Sequence, residues 1–157
     1  MSRFHEIATR LPPPLLFVIP LLVGPHLDRL VPLSTRTGDA TTVALAAGWA
    51  LIAVAIATMG AAIGLFARRR TTIVPHGHAS ALVTTGPFRW TRNPMYVGLT
   101  TLSVGVCAVT SCAWSLVLLP APLLLLARVI IPMEERSMHA VFGTQYDAYA
   151  GRVPRWL

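Results

Sequence analysis

The sequence has no lysine; all 13 of its Lys+Arg residues are arginine. Schiff-base chemistry, which needs a lysine amine, is therefore excluded. Charge of any kind is scarce. Only 12% of the 157 residues are charged and six are acidic, against about a quarter charged in soluble domains. The two cysteines, Cys107 and Cys112, lie in an apolar run with no histidine beside them. Such residues read as buried thiols rather than metal ligands or nucleophiles, and no metal site is expected. There is also no glycine-rich GxGxxG loop of the kind soluble nucleotide-binding domains use.

What is abundant is apolar sequence. Hydrophobic residues make up 54% of the chain and mean hydropathy is +0.62. Residues 40–67 and 95–127 carry no charge, and each run exceeds the roughly 20 residues that cross a bilayer. The expectation is one all-α, multi-pass integral membrane domain over 1–157, with about four spans near 12–31, 41–66, 94–111 and 114–133. The first begins with Pro12, Pro13 and Pro14, which suit a helix start, and Pro20 and Pro25 should kink it. Arg3 and Arg10 before an apolar run resemble a signal peptide, but no small-x-small cleavage site follows, so a retained helix is expected. In the second span Ala46, Ala50, Ala53, Ala57, Ala61 and Gly64 recur at helical spacing, with Gly60 and Gly64 as a GxxxG pair. This small-residue stripe predicts close packing of another helix. The 94–133 run is roughly 60 Å long as a helix, twice the hydrocarbon thickness. It must fold back, and Thr110 to Trp114 is the expected turn. Pro120 and Pro122 should bend the last span.

The net charge of +7 fits a membrane surface better than nucleic acid, because no basic patch is interleaved with aromatics. Four spans put both termini on one side. Ten arginines then share that side (Arg3, Arg10, Arg68, Arg69, Arg70, Arg89, Arg92, Arg136, Arg152 and Arg155), and only Arg29 and Arg36 lie opposite. The positive-inside rule places the termini and the long loop in the cytoplasm. A loop element at 76–96 and a C-terminal amphipathic helical element at 134–157 are therefore expected to share the cytoplasmic edge.

Two polar clusters stand there. Asn93-Pro94 is a favourable helix start, with Asn at the N-cap and Pro at the first position. The first-turn N–H groups and Arg92 make that start attractive to an anion, or else it is merely a well-made helix end. Glu134-Glu135 follows the apolar run, where carboxylates are costly unless paired. They are expected either to pair with Arg128 or Arg136 or to receive a cationic or hydroxyl-rich ligand. Together the clusters suit a zwitterionic ligand carrying a carboxylate, an ammonium and a sulfonium.

The run Leu82-Val83-Thr84-Thr85-Gly86-Pro87-Phe88 … Arg92-Asn93-Pro94-Met95-Tyr96-Val97-Gly98, followed by Glu134-Glu135 … Phe142-Gly143 … Tyr146 … Tyr149 … Val153-Pro154, resembles the membrane methyltransferase superfamily. That group includes isoprenylcysteine carboxyl methyltransferases and phospholipid N-methyltransferases, and the resemblance covers about residues 78–157. It implies an S-adenosylmethionine cofactor. By the resemblance, Leu82, Val83 and Phe88 line the cofactor. Asn93, Pro94, Met95 and Tyr96 hold its methionine end, Glu134 and Glu135 contact its polar groups, and Arg92 counts among the cofactor-binding residues. His78, like His76, stands in the loop as a further cofactor contact or base. Tyr96, Arg128 and Glu135 are the expected catalytic set.

Asn93 stands where isoprenylcysteine enzymes usually have histidine, whereas phospholipid N-methyltransferases can have Asn-Pro-Met-Tyr. The arginine that holds a prenylcysteine carboxylate falls at Ile130 or Ile131, with Arg128 the nearest substitute. The implied reaction is methyl transfer to a lipophilic acceptor, a lipid or small molecule that enters from the bilayer. Amine, carboxylate and thiol acceptors all stay open. A membrane reductase of related architecture and a non-catalytic lipid-binding protein are the alternatives.

Overall fold

The computed structural model describes residues 12–33, 39–69 and 81–157, and among these there is no β-strand. His76, His78, Arg70 and the arginines at 3, 10 and 36 lie outside the described residues. Among the described residues four principal helices follow one another. Helix α1 spans Pro13–Leu30, α2 spans Asp39–Arg69 and α3 spans Pro94–Thr110. Helix α4 runs Ala113–Phe142. A short helix α5, Thr144–Ala150, completes the chain before an irregular tail.

The local chemistry explains the boundaries. Pro13 opens α1, and the helix continues through Pro20 and Pro25 to Leu30. Pro94 opens α3. The fold-back falls where expected, with Ser111 in the left-handed region (φ 55°) between α3 and α4. Gly143, at φ 50°, occupies a backbone conformation that side chains disfavour, and this divides α4 from α5.

Within α4, regular α geometry is interrupted at Leu119, just before Pro120, and again by a π-turn at Leu126–Ile130. Pro132 lacks the N–H that would bond back to the Arg128 carbonyl, and its ring crowds that carbonyl. A locally widened turn relieves both problems. Helix α4 then continues through Glu134 and Glu135. The acidic pair therefore lies within a helix rather than at its end.

Helices α2 and α4 are long and apolar enough to cross a membrane; α3 is apolar but shorter. Only 11% of the most apolar window of α2 and 28% of that of α4 are buried within the protein. Core helices of a soluble protein are mostly covered by their own fold. Here Val43, Trp49, Val54 and Ile56 on α2 and Val117 and Leu124 on α4 face outward. Lipid, not water, matches such a surface.

Helix α3 packs along α2, and α1 packs along the first half of α4. The α2–α3 approach is set by glycine. A Cβ on Gly48 would lie 2.9 Å from the Gly105 carbonyl oxygen, and one on Gly105 would lie 2.9 Å from that of Gly48. Gly98 lies against Met59, and Gly24 of α1 against Ser115 of α4.

The small-residue stripe expected on α2 is therefore corrected. Ala46, Ala50, Ala53, Ala57 and Ala61 are exposed, and nothing lies within 4 Å of a Cβ at Gly60 or Gly64. The packed face is Gly48, Ala55 and Ala62. Both series have helical spacing. The glycines of α3 decide between them, since they admit the α2 backbone only where Gly48 faces Gly105.

Candidate active site

The site grows from the start of α3. A 3-10 turn, Gly86–Arg89, leads into Trp90 and the helix start at Asn93. Phe88 anchors this turn. It is buried with Val83 and Ala62, and its ring meets that of Phe66 edge-on at 5.3 Å between centroids. Met95 packs on the same cluster.

The C-terminal tail is stapled onto this segment. The Arg92 N–H donates to the Pro154 carbonyl at 2.9 Å. The Thr91 hydroxyl and the Asn93 side-chain amide both donate to the Arg155 carbonyl, at 2.9 and 3.0 Å. The Tyr149 hydroxyl donates to the Phe88 carbonyl at 2.8 Å. Tyr146, Tyr149 and Val153 are buried together, with Leu82 against them. Burial pushes the Tyr149 hydroxyl up to about 12 from its ordinary 10.0, helped by neighbouring Tyr146 and opposed by Arg92. Burial also raises Tyr146, against a hydrogen bond with Arg92.

Helix α4 brings the two glutamates to this assembly. The Tyr96 hydroxyl donates to Glu134 Oε1 at 2.6 Å. Glu135 is held between two guanidinium groups. Arg92 Nη1 lies 2.9 Å from its Oε1, and Arg155 Nη2 lies 2.5 Å from its Oε2. Arg155 Nε donates to both oxygens, at 2.9 and 3.1 Å. The Arg92 and Glu135 side chains are each 16% exposed and Arg155 is 46% exposed. Arg155 is drawn further toward its charged form by the bond to Glu135.

One group in this network is left over. Arg92 Nε is buried and has no hydrogen-bond partner. A buried donor without an acceptor costs about 1–3 kcal/mol, more when charged. It therefore marks a place for an anionic or carbonyl oxygen. The Tyr96 bond uses only part of the accepting capacity of the Glu134 carboxylate. The network thus holds one guanidinium N–H without an acceptor, on Arg92, and a carboxylate with capacity to spare, on Glu134. That donor set fits the α-carboxylate and α-ammonium of an amino acid moiety.

Of the residues expected from sequence, the structure gathers Arg92, Tyr96, Glu134 and Glu135. Asn93 holds the N-cap position, but its side chain makes no cap bond and turns instead to the Arg155 carbonyl. Its own carbonyl accepts from the Tyr96 and Val97 N–H groups. Leu82, Val83, Phe88, Pro94 and Met95 are packing residues around the cluster. Neither expected ion-pair partner of the glutamates fills that place, because Arg92 and Arg155 occupy it. Arg128 is exposed within the π-turn, and no described carboxylate pairs with it. Arg155 was missed, having counted only as a membrane-surface charge. The one signal for it was the adjoining Val153-Pro154.

Residues 43–145 match the family model of phospholipid methyltransferase. The match takes in Arg92, Tyr96, Glu134 and Glu135 and stops before Arg155. No curated protein and no solved structure matches the chain.

Proposed function

The chain belongs to the phospholipid methyltransferase family, and from that premise we propose that it transfers a methyl group from S-adenosylmethionine to a nucleophile on a membrane lipid. The observation that carries this reading is the buried, unpartnered Arg92 Nε on the side chain that meets Glu135, the chain neighbour of the Tyr96-bonded Glu134. Arg92 takes the cofactor's carboxylate and Glu134 its ammonium. Tyr96 fixes the Glu134 carboxylate. Glu135, tied to Arg92 and Arg155, holds Arg92 in place. Val83, Phe88 and Met95 form the packed backing of the site.

S-adenosylmethionine supplies an electrophilic methyl carbon. When bound, it would pass that carbon to the acceptor's lone pair, the carbon–sulfur electrons staying with sulfur and the acceptor's proton leaving to water at the polar edge of the site. The donor is intrinsically reactive, so the protein's work is alignment. The acceptor comes laterally from the bilayer. With four spans, the arginine asymmetry argues for the site and both termini in the cytoplasm.

Calorimetry on the purified protein in detergent tests the proposal. S-adenosylmethionine should bind, and a nicotinamide dinucleotide should not. Glu134→Gln and Arg92→Gln should each weaken cofactor binding tenfold or more, while Arg69→Gln, at the exposed end of α2, should leave it unchanged. Absence of cofactor binding to the wild type would overturn the reading.

A further inference from the structure

The seat assigned to the cofactor's carboxylate is covered. Arg92 Nε is buried, so a dissolved anion reaches it only if part of the protein moves. The groups against the Arg92 side chain come from two elements. Glu135 belongs to α4. Tyr146, which hydrogen-bonds with Arg92, belongs to α5. The tail beyond α5 lies over the same corner. The Pro154 carbonyl accepts from the Arg92 N–H, and the Arg155 guanidinium shares Glu135 with Arg92. Residues 144–157, which supply the outer part of this cover, follow the helix break at Gly143.

That break has the properties of a hinge. Gly143 sits at φ 50° and ψ −127°, and a Cβ there would meet nothing within 4 Å. The backbone is thus free of side-chain restriction and uncrowded at that point. One contact bridges it from the outside. His139 Nε2, before the break, lies 3.3 Å from Asp147 Oδ2, after it, with the two side chains 60% and 55% exposed. The pair stands apart from the Arg92–Glu135 network. So exposed a contact adds little to overall stability, but it is readily broken and remade in water. On its inner side the segment is held by Tyr146, Tyr149 and Val153 against Leu82, and by the bond from Tyr149 to the Phe88 carbonyl. Those contacts keep the open form a minor one.

We propose that residues 144–157 form a lid over the Arg92 anion seat, hinged at Gly143 and latched by His139 and Asp147, and that the anionic end of the ligand enters and leaves only while this lid is open. The proposal rests on the methyl-transfer reading for the identity of that anion; the motion belongs to the chain by itself. His139 and Asp147 are positioning residues. They set how often the lid opens, not how tightly the site binds. Loss of an exposed pair raises the open population roughly two- to fivefold. The latch is present with and without ligand, so association and dissociation quicken together and affinity stays nearly constant.

The test reads the lid first without cofactor. In a background with Cys107 and Cys112 replaced by alanine, Val153→Cys places a thiol on the buried inner side of the lid. Ala150→Cys, packed on the same cluster, serves where Val153→Cys does not fold. Maleimide labelling of the purified protein in detergent then reports opening. Asp147→Asn and His139→Gln should each speed labelling by roughly two- to fivefold, and the double variant should go no further. Stopped-flow tryptophan fluorescence, with Trp90 exposed beside the site, follows S-adenosylmethionine. Its association and dissociation rate constants should rise by the same factor as labelling, with Kd by calorimetry unchanged. Labelling that ignores both variants overturns the latch. Faster labelling with unchanged cofactor rates, or a change confined to Kd, overturns the lid as a gate and leaves methyl transfer standing. A wild type that binds no S-adenosylmethionine while labelling still follows the latch overturns the methyl-transfer reading and leaves the lid motion standing.

Discussion

Glu134 and Glu135 are adjacent in the chain but belong to different networks. Glu135 is shared by two guanidiniums, whereas Glu134 touches one neutral hydroxyl. Removing the Glu135 charge strands Arg92, which is largely buried. Breaking a buried pair from one side costs about 3–5 kcal/mol, and the partial exposure here argues for the lower end. Glu135→Gln should therefore lower the thermal midpoint by several degrees and loosen cofactor binding as a consequence. Glu134→Gln keeps the hydroxyl contact and strands no cation. It should leave the midpoint almost unmoved while cofactor affinity drops. Thermal melts and calorimetry on both variants check this division, and equal midpoint losses would refute it. The sequence showed the acidic pair and Arg92 as two clusters at one edge, but pointed to Arg128 or Arg136 as the partners of the pair. It did not show the division, because that depends on Arg155 returning from 20 residues away to a helix face whose register the π-turn has shifted.

At the scale of elements, two contacts between segments position the site. One is the glycine-to-glycine approach of α2 and α3. Gly105→Leu places a branched side chain where the Gly48 carbonyl and Ile52 already lie. Overpacking of that kind typically costs 1–3 kcal/mol, and here it falls on the contact that holds α3 against α2. Gly60→Leu and Gly64→Leu meet nothing within 4 Å and should melt like the wild type. A substantial loss in either exposed variant, with Gly105→Leu unharmed, would restore the stripe expected from α2 alone. That stripe was a fair reading of one helix. Helix spacing, the fold-back at Thr110 to Trp114 and the start at Pro94 are local properties and were legible. Which face packs is a property of two helices together. The other contact is the tail clamp, Tyr149 onto the Phe88 carbonyl. The Tyr149 hydroxyl ionises near 10.0 when unfolded and near 12 when folded. The folded state therefore holds its proton longer. The stabilisation is fully present below about pH 10 and fades as pH rises through about 12. Tyr146 shifts in the same direction, so Tyr149→Phe should remove part of the alkaline fall in thermal midpoint between those values. It should also lower the midpoint at neutral pH, since the Phe88 carbonyl loses its donor. An alkaline limb identical to the wild type would show that the clamp does not carry this dependence.

At the scale of the whole molecule, the chemistry requires that a polar cofactor and a lipid meet at one surface. The chain arranges this with charge and hydropathy alone. In the proposed orientation the outward-facing apolar residues on α2 and α4 set the depth of the helices, and the arginine-rich end faces the cytoplasm. Arg92 and Arg155 belong to that same excess of positive charge, so on this proposal the residues that orient the protein also build its site. Orientation and site placement are thus one hypothesis with one test. Cys107 and Cys112 are buried and can be replaced by alanine to give a background without thiols. Single cysteines are then introduced at Leu33, exposed beyond α1, and at Trp90, exposed beside the site. In intact cells a membrane-impermeant maleimide should label the cysteine at position 33. The cysteine at position 90 should react only once the membrane is opened. Saturating S-adenosylmethionine should then slow labelling at position 90 and leave position 33 unaffected, because only the former adjoins the Arg92–Glu135 network. Labelling at position 90 in intact cells would invert the topology. It would also separate the site from a cytoplasmic methyl donor, so the orientation and the proposed reaction would fall together.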